Sequence, residues 1–339
     1  MQGYKTHVQS GILLNANEAS QNVNETVKQE IIDAISNLSL NRYPDTTCHQ
    51  LHRLYAEVMN VPSSWILSGN GSDQMLGFLI QYYLQENKTL YTLSPDFSMY
   101  DYYVGLNHSK IEKYETNQNG SFDVEAFISN GKDKNVDMVL FSNPNNPTGH
   151  SITLWEMKKI SEAFKDIPVI FDEAYMEFGK ESAVCLLKEY PNVFVCRTLS
   201  KAYGLAGIRC GFMISSQVEK LNALFIPYAL SSVTQTIASV VLRHADEYKD
   251  TIATIISERE RMYQEVKEFK QLTMYPSNAN FLFGRSEKKD LLLAMFKEKN
   301  ITIRNYEDAS FRITIGTKEE NEMVLDVLRR FEYANSRKK

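Results

Sequence analysis

Cysteine is scarce in this sequence and scattered: Cys48, Cys185, Cys196 and Cys210 are the four in 339 residues. They form no Cys-x-x-Cys pair and no metal-ligand spacing, so neither a disulfide framework nor a metal module is expected. Buried free thiols in a reducing compartment fit them, and the chain is expected to be cytoplasmic. Long apolar runs are missing as well. A stretch such as Val136 to Phe141 is broken by charge and suits a buried strand, not a membrane span. No charged start, apolar run and cleavage site open the chain, so the Asn-x-Ser/Thr triplets, Asn37-Leu38-Ser39 among them, are read as chance. Excess positive charge is also absent. The net charge is -5, and Lys and Arg cluster only at Arg337, Lys338 and Lys339. That removes the electrostatic case for nucleic acid, and the basic end reads as a solvated tail.

What is present is ordinary globular material, 43% hydrophobic and 23% charged. The length suits a large domain plus a smaller one. Candidate strands are Leu90 to Leu93, Met138 to Phe141, Val169 to Phe171, Val193 to Arg197 and Gly211 to Ile214. Helical patterns such as Ser72 to Leu84 and Leu154 to Phe164 lie between them. This βα rhythm predicts an α/β fold whose large domain holds a mostly parallel, helix-covered sheet. From Ser231 one long helical stretch is expected through Lys270, then strands at Phe281 to Phe283 and Phe311 to Ile315. These belong to a smaller α+β domain. The expected division is 44–235 for the large domain, with 1–43 and 236–339 forming the small one.

Four segments carry chemistry. In Thr198-Leu199-Ser200-Lys201, a lysine follows a buried strand and two hydroxyls, and Arg209 comes eight residues later. A lysine amine can condense with an aldehyde cofactor and shuttle a proton. Hydroxyls and a guanidinium nearby can hold a phosphate. An isolated Ser-Lys is more often a surface feature. Phe171-Asp172-Glu173-Ala174-Tyr175 ends a Pro-Val-Ile-Phe strand. A carboxylate there can pair with a protonated pyridine nitrogen and raise that cation's pKa. Ordinary acidic loops look the same, but no histidine lies near enough to favour a metal. Ser142-Asn143-Pro144-Asn145-Asn146-Pro147-Thr148-Gly149 is a rigid loop after a strand, and by itself only a turn. Ser68-Gly69-Asn70-Gly71-Ser72-Asp73-Gln74 opens a helix whose free N–H groups can meet a phosphate. It lacks the third glycine of a dinucleotide fingerprint and the lysine of a triphosphate loop, and Asp73 is equally a first-turn acid.

Together these segments resemble the aspartate-aminotransferase superfamily of fold type I, and more narrowly the histidinol-phosphate aminotransferases. The resemblance runs from Leu14-Asn15-Ala16-Asn17-Glu18 through Asn41-Arg42-Tyr43-Pro44 to Arg312-Ile313-Thr314-Ile315-Gly316-Thr317. Its most specific block is Arg197 to Ala202 joined to Ala206 to Phe212. It implies pyridoxal 5'-phosphate as cofactor, with Lys201 as its covalent anchor and Asp172 beside the ring nitrogen. Tyr175 and Asn146 match donors to the ring oxygen, and Asn146 also borders the substrate. Gly71, Ser72, Asp73, Thr198, Ser200 and Arg209 match the phosphate cup. Phe97 matches a stacking aromatic that is often Tyr in the family. Tyr43 matches a residue serving the neighbouring subunit's cofactor, which implies a homodimer. Arg312 matches the arginine that grips the substrate anion, Arg304 a second one, and Tyr4 a substrate-contacting tyrosine.

The reaction implied is amino transfer from L-histidinol phosphate to 2-oxoglutarate, a step of histidine biosynthesis. The partners implied are these small molecules and a second copy of the chain. An aromatic amino-acid aminotransferase would share every cofactor residue, and a threonine-phosphate decarboxylase most of them. A non-catalytic cofactor-sensing module would carry a DNA-binding domain, for which no room is expected before Leu14. A serine acyl-enzyme built on Ser286-Glu287-Lys288-Lys289 has no companion motif, and that stretch is expected to be exposed.

Overall fold

The computed structural model describes residues 10–336, so Tyr4 and the tail at Arg337, Lys338 and Lys339 lie outside the described residues. Its strands are β1 (Ile12–Leu14), β2 (Ile66–Asn70), β3 (Thr89–Ser94), β4 (Lys110–Glu115), β5 (Met138–Ser142) and β6 (Val169–Asp172). β7 (Val193–Thr198), β8 (Cys210–Ile214), β9 (Thr273–Tyr275), β10 (Phe281–Arg285), β11 (Ile301–Asn305) and β12 (Ser310–Thr314) complete them. The helices are α1 (Glu25–Ser36), α2 (His49–Met59), α3 (Gly71–Tyr83), α4 (Met99–Leu106), α5 (Val124–Asp133) and α6 (Leu154–Ala163). They continue with α7 (Val218–Asn222), α8 (Ser232–Arg243), α9 (Tyr248–Val266), α10 (Lys289–Glu298) and α11 (Lys318–Ser336).

One sheet has the order β2-β8-β7-β6-β5-β3-β4, parallel except for β8, which runs against both neighbours. Its central strands β5, β6 and β7 are apolar up to their carboxyl ends because both faces are covered. Alternate residues serve opposite faces. Val139, Phe141, Val169, Phe171 and Val195 join the larger core, while Met138, Leu140, Ile170 and Phe194 pack on the other side with Met75, Leu79 and Ile80 of α3. At the edge, β4 reads Lys-Ile-Glu-Lys-Tyr-Glu, and such charge discourages pairing with another chain. The start of α6 is set by a capping box between Thr153 and Glu156.

The second sheet has the order β1-β11-β12-β10-β9, with β1 parallel to β11 and the other pairs antiparallel. The α/β architecture expected from the sequence is the one adopted. The expected helix from Ser231 to Lys270 is in fact two helices. The chain breaks after Arg243, where the His244 ring lies 2.7 Å from Glu247 Oε1 and 2.6 Å from Glu30 Oε2. α8 then packs on α1 and α2, and α9 on α11 and the second sheet. No described helix is long and apolar enough to cross a membrane.

Candidate active site

The turns leaving β2, β3, β5, β6 and β7 open at one end of the large sheet, the carboxyl end, where parallel sheets place their ligands. With β10 to β12 of the second sheet they enclose a cleft of about 980 Å3. Ser72, Asp73, Phe97, Asn146, Asp172, Tyr175, Thr198, Ser200, Lys201, Arg209, Arg304 and Arg312 all line it.

The side chains form three groups. The first surrounds the start of α3, which the side chain of its N-cap residue Asn70 does not cap. Its first-turn N–H groups face the position where an anion is favoured. Gly71 has φ +78°, and a Cβ there would lie 2.5 Å from Arg209 Nη2. A Cβ on Gly211 would come within 2.1 Å of the Ser72 nitrogen. Arg209 donates to Asp73 at 2.8 Å, and the Thr198 hydroxyl donates to Ser200 at 2.9 Å. This is a cradle only glycine permits, with a cation, hydroxyls and helix amides, and its chemistry suits a phosphate.

The second group is acidic and buried. Asp172 is 3% exposed and accepts the Tyr100 hydroxyl at 2.9 Å. Burial pushes its pKa up to about 7, and the Tyr100 hydrogen bond opposes that rise. Asp96, half-buried, is pushed up to about 8 by its partial burial and is held by the backbone N–H and hydroxyl of Ser142. A cation beside Asp172, such as a protonated ring nitrogen, would offset the cost of its burial.

The third group surrounds Lys201, whose ammonium donates to the Ala16 carbonyl at 3.0 Å. Burial, aided by the charge of Arg312, pushes its pKa down to about 8. Arg312 donates to Asn146 Oδ1 and to the Asn15 carbonyl, while its buried Nε has no hydrogen-bond partner among the described residues. Asn146 is held by its own N–H, which donates to Ser142 Oγ at 2.9 Å. Tyr175 receives a hydrogen bond from Asn17 at 2.9 Å. Phe97 stands edge-on to Tyr100 at 5.7 Å between ring centres.

Two expected residues do not line this cleft. Gly71 contributes through its backbone turn. Tyr43 is 81% exposed and stacks on Tyr228 at 4.6 Å. The segment Ser286 to Lys289, expected to be exposed, is partly buried: Ser286 donates to the Gln271 carbonyl, and Lys289 donates to the Tyr306 and Asp308 carbonyls. No cluster of metal-binding side chains occurs among the described residues. Sequence reasoning passed over Asn15, Ala16, Asn17, Asp96 and Tyr100. Asn15 to Asn17, in Leu14 to Glu18, and Asp96, in Ser94-Pro95-Asp96-Phe97, lie within segments that carry the resemblance but have no role assigned by it, and nothing local marks Tyr100.

Residues 9–328 match the family described as aminotransferase class I and II. The histidinol-phosphate aminotransferase of Clostridium kluyveri is 33% identical over 94% of this chain and 92% of its own. That of Pyrococcus furiosus is 34% identical, again over 94% of this chain and 92% of its own. Among solved structures, the histidinol-phosphate aminotransferase of Sinorhizobium meliloti in complex with pyridoxal 5'-phosphate is similar with a TM-score of 0.84. It is 22% identical and covers 95% of this chain and 91% of its own, a likeness of fold.

Proposed function

The chain belongs to the class I and II aminotransferases, and we propose that it moves an amino group from L-histidinol phosphate to 2-oxoglutarate with pyridoxal 5'-phosphate as cofactor. One observation carries the choice of a phosphorylated substrate. Arg304 and Arg312 are direct register partners across β11 and β12, so their side chains leave the same face of the sheet, and both border the cleft. Two guanidiniums suit a phosphate, with its higher charge and additional acceptors, better than one does. The Nε of the buried Arg312 adds a donor with no acceptor among the described residues.

The donor set fits the cofactor. The α3 terminus, Gly71, Ser72, Asp73, Thr198, Ser200 and Arg209 would hold its phosphate. Phe97 would stack on its ring. Pyridoxal 5'-phosphate, when bound, supplies an aldehyde for amine exchange and an electron-poor ring that spreads the charge left on the substrate carbon. Lys201 would anchor it and, once free, its amine would carry the proton from the substrate carbon to the cofactor's aldehyde carbon, and back in the reverse direction. An amine with a pKa near 8 suits both directions at neutral pH. Asp172 holds a proton at the ring nitrogen. The Tyr175 hydroxyl and the Asn146 amide donate to the ring oxygen. Arg312 grips the anionic end of either substrate, and Arg304 joins it for phosphate.

The large domain is assigned to 44–235 and the small one to 1–43 with 236–339, a division supported by the two separate sheets. The working unit is a homodimer in which the partner subunit's Tyr43 reaches the cofactor phosphate. The high exposure of Tyr43 within a single chain supports this. The setting is cytoplasmic, in keeping with free thiols. The test is a half-reaction screen in which holoenzyme is mixed separately with L-histidinol phosphate, aromatic amino acids and threonine phosphate while the cofactor absorbance is followed. Histidinol phosphate should react fastest. Faster reaction with an aromatic amino acid, or carbon dioxide release from threonine phosphate, would overturn the substrate assignment.

A further inference from the structure

Three consecutive residues of the segment after β1 each hold a different functional side chain. The Asn15 carbonyl accepts from Arg312, the Ala16 carbonyl from Lys201, and the Asn17 amide donates to Tyr175. Of the three, Asn17 alone acts through its side chain. It is 1% exposed and adopts the left-handed backbone conformation, with φ 56°.

All four of its polar groups are engaged. The backbone N–H donates to Thr314 Oγ1 at 3.0 Å, and the backbone carbonyl accepts from Asn280 Nδ2 at 3.1 Å. Thr314 Oγ1 donates to Asn17 Oδ1 at 3.1 Å, and Asn17 Nδ2 donates to Tyr175 Oη at 2.9 Å. The Thr314 hydroxyl decides which way the amide faces. Its oxygen already accepts the Asn17 N–H, so its proton needs an acceptor, and Oδ1 supplies one. Turning the amide over would give that oxygen two donors and take the acceptor away. The amide nitrogen therefore faces the phenol, and Tyr175 must accept there. The phenol's own proton is left to point elsewhere. Tyr175 borders the cleft, and no protein acceptor for its proton occurs among the described residues.

We infer that Asn17 is a positioning residue: it fixes the Tyr175 hydroxyl as a donor into the cleft and ties that donor to the five-stranded sheet. The inference rests on the reading of Tyr175 as a donor to the cofactor's ring oxygen. A phenol that accepts one hydrogen bond donates the next more strongly. Burial raises the Tyr175 pKa to about 12, so the hydroxyl keeps its proton at neutral pH. Thr314 and Asn280 belong to the second sheet and its approach, whereas Tyr175 follows β6 of the first. Asn17 thus links the position of one sheet to the donor strength of a side chain on the other.

The experiment reads the pH midpoint of the bound cofactor's visible absorbance, not turnover. A donor to the ring oxygen stabilises its negative charge and lowers that midpoint. Tyr175→Phe should raise it. Asn17→Gly deletes the amide at a backbone conformation glycine tolerates. It should raise the midpoint in the same direction, by at least roughly 10–30% of the Tyr175→Phe shift. In the double variant Asn17→Gly should add nothing. Asn17→Asp, which keeps the shape but presents an acceptor, should shift the midpoint upward by more than Asn17→Gly, and serves if the glycine variant folds poorly. Thermal melting of the cofactor-free proteins reports folding separately. An unchanged midpoint in Asn17→Gly and Asn17→Asp, alongside a shifted Tyr175→Phe, overturns the role of Asn17 and leaves Tyr175 in place. An additive shift in the double variant overturns it too, since Asn17 would then act by another route. No shift in Tyr175→Phe overturns the reading of Tyr175 itself.

Discussion

The Tyr100 hydroxyl lies 2.9 Å from Oδ2 of Asp172, with both residues almost wholly buried. Hydrogen bonds to the charged form favour it, so Tyr100 keeps a carboxylate available in a place that would otherwise protonate it. Tyr100→Phe should lower turnover about tenfold, the scale of one hydrogen bond to a buried charge. Asp172→Ala should cost on the order of a hundredfold or more. Without the Tyr100 hydrogen bond the Asp172 pKa rises above about 7, so cofactor affinity should fall near neutral pH and recover in alkali. Cofactor affinity measured across pH for wild type and Tyr100→Phe checks this; overlapping curves would rule it out.

Lys201 should be the residue that borohydride fixes to the cofactor. Its pKa is pushed down to about 8, chiefly by burial and next by Arg312. Only the neutral amine attacks an aldehyde, so cofactor uptake by the cofactor-free protein should speed up as pH rises and level off above about 8. Arg312→Ala removes a nearby positive charge, which raises the Lys201 pKa and moves that plateau to higher pH. Stopped-flow absorbance gives the profile. A plateau that stays put in Arg312→Ala would contradict the coupling, and a label on another lysine would contradict the anchor.

Behind Asp172 lies a buried ion pair. Arg197 and Glu173 meet at 2.8 Å, with Glu177 and Ser182 completing the set. The pair joins the end of β7 to the turn after β6 and so supports both Thr198 and Asp172. Removing one partner strands the other charge, so Arg197→Ala or Glu173→Ala should each cost about 3–5 kcal/mol. The double variant should cost less than the two summed. Denaturant midpoints of the cofactor-free proteins measure this, and losses under about 1 kcal/mol would mean that water reaches the pair.

Arg304 and Arg312 should differ by substrate. Arg304→Ala should slow the histidinol-phosphate half-reaction more than the 2-oxo-acid half-reaction, whereas Arg312→Ala should slow both. Rapid-mixing kinetics of each half-reaction separate the cases. Equal losses for Arg304→Ala would remove the main physical reason for preferring a phosphorylated substrate.

The sequence by itself determined the central strands and the motifs that follow them. β5, β6 and β7 are apolar up to their last one or two residues because helices cover both faces, and polar residues begin at each strand's carboxyl end. Lys201, Asp172 and Asn146 were legible because each stands just beyond such a run. β2 went unread, since Ser68, Gly69 and Asn70 follow a run of only three apolar residues, Trp65 to Leu67, and β4 because it is a charged edge. The break after Arg243 was hidden because apolar periodicity continues on either side of it, while the contacts of His244 come from residues as distant as Glu30. Only the tertiary structure decided which side chains support the site. Tyr100 meets Asp172 across 72 residues, and Asn17 meets Tyr175 across 158. Such pairs follow from strand order and from how one sheet sits on the other. Local propensity and spacing carry no record of that arrangement, because the residues that meet are neighbours only after the chain has folded.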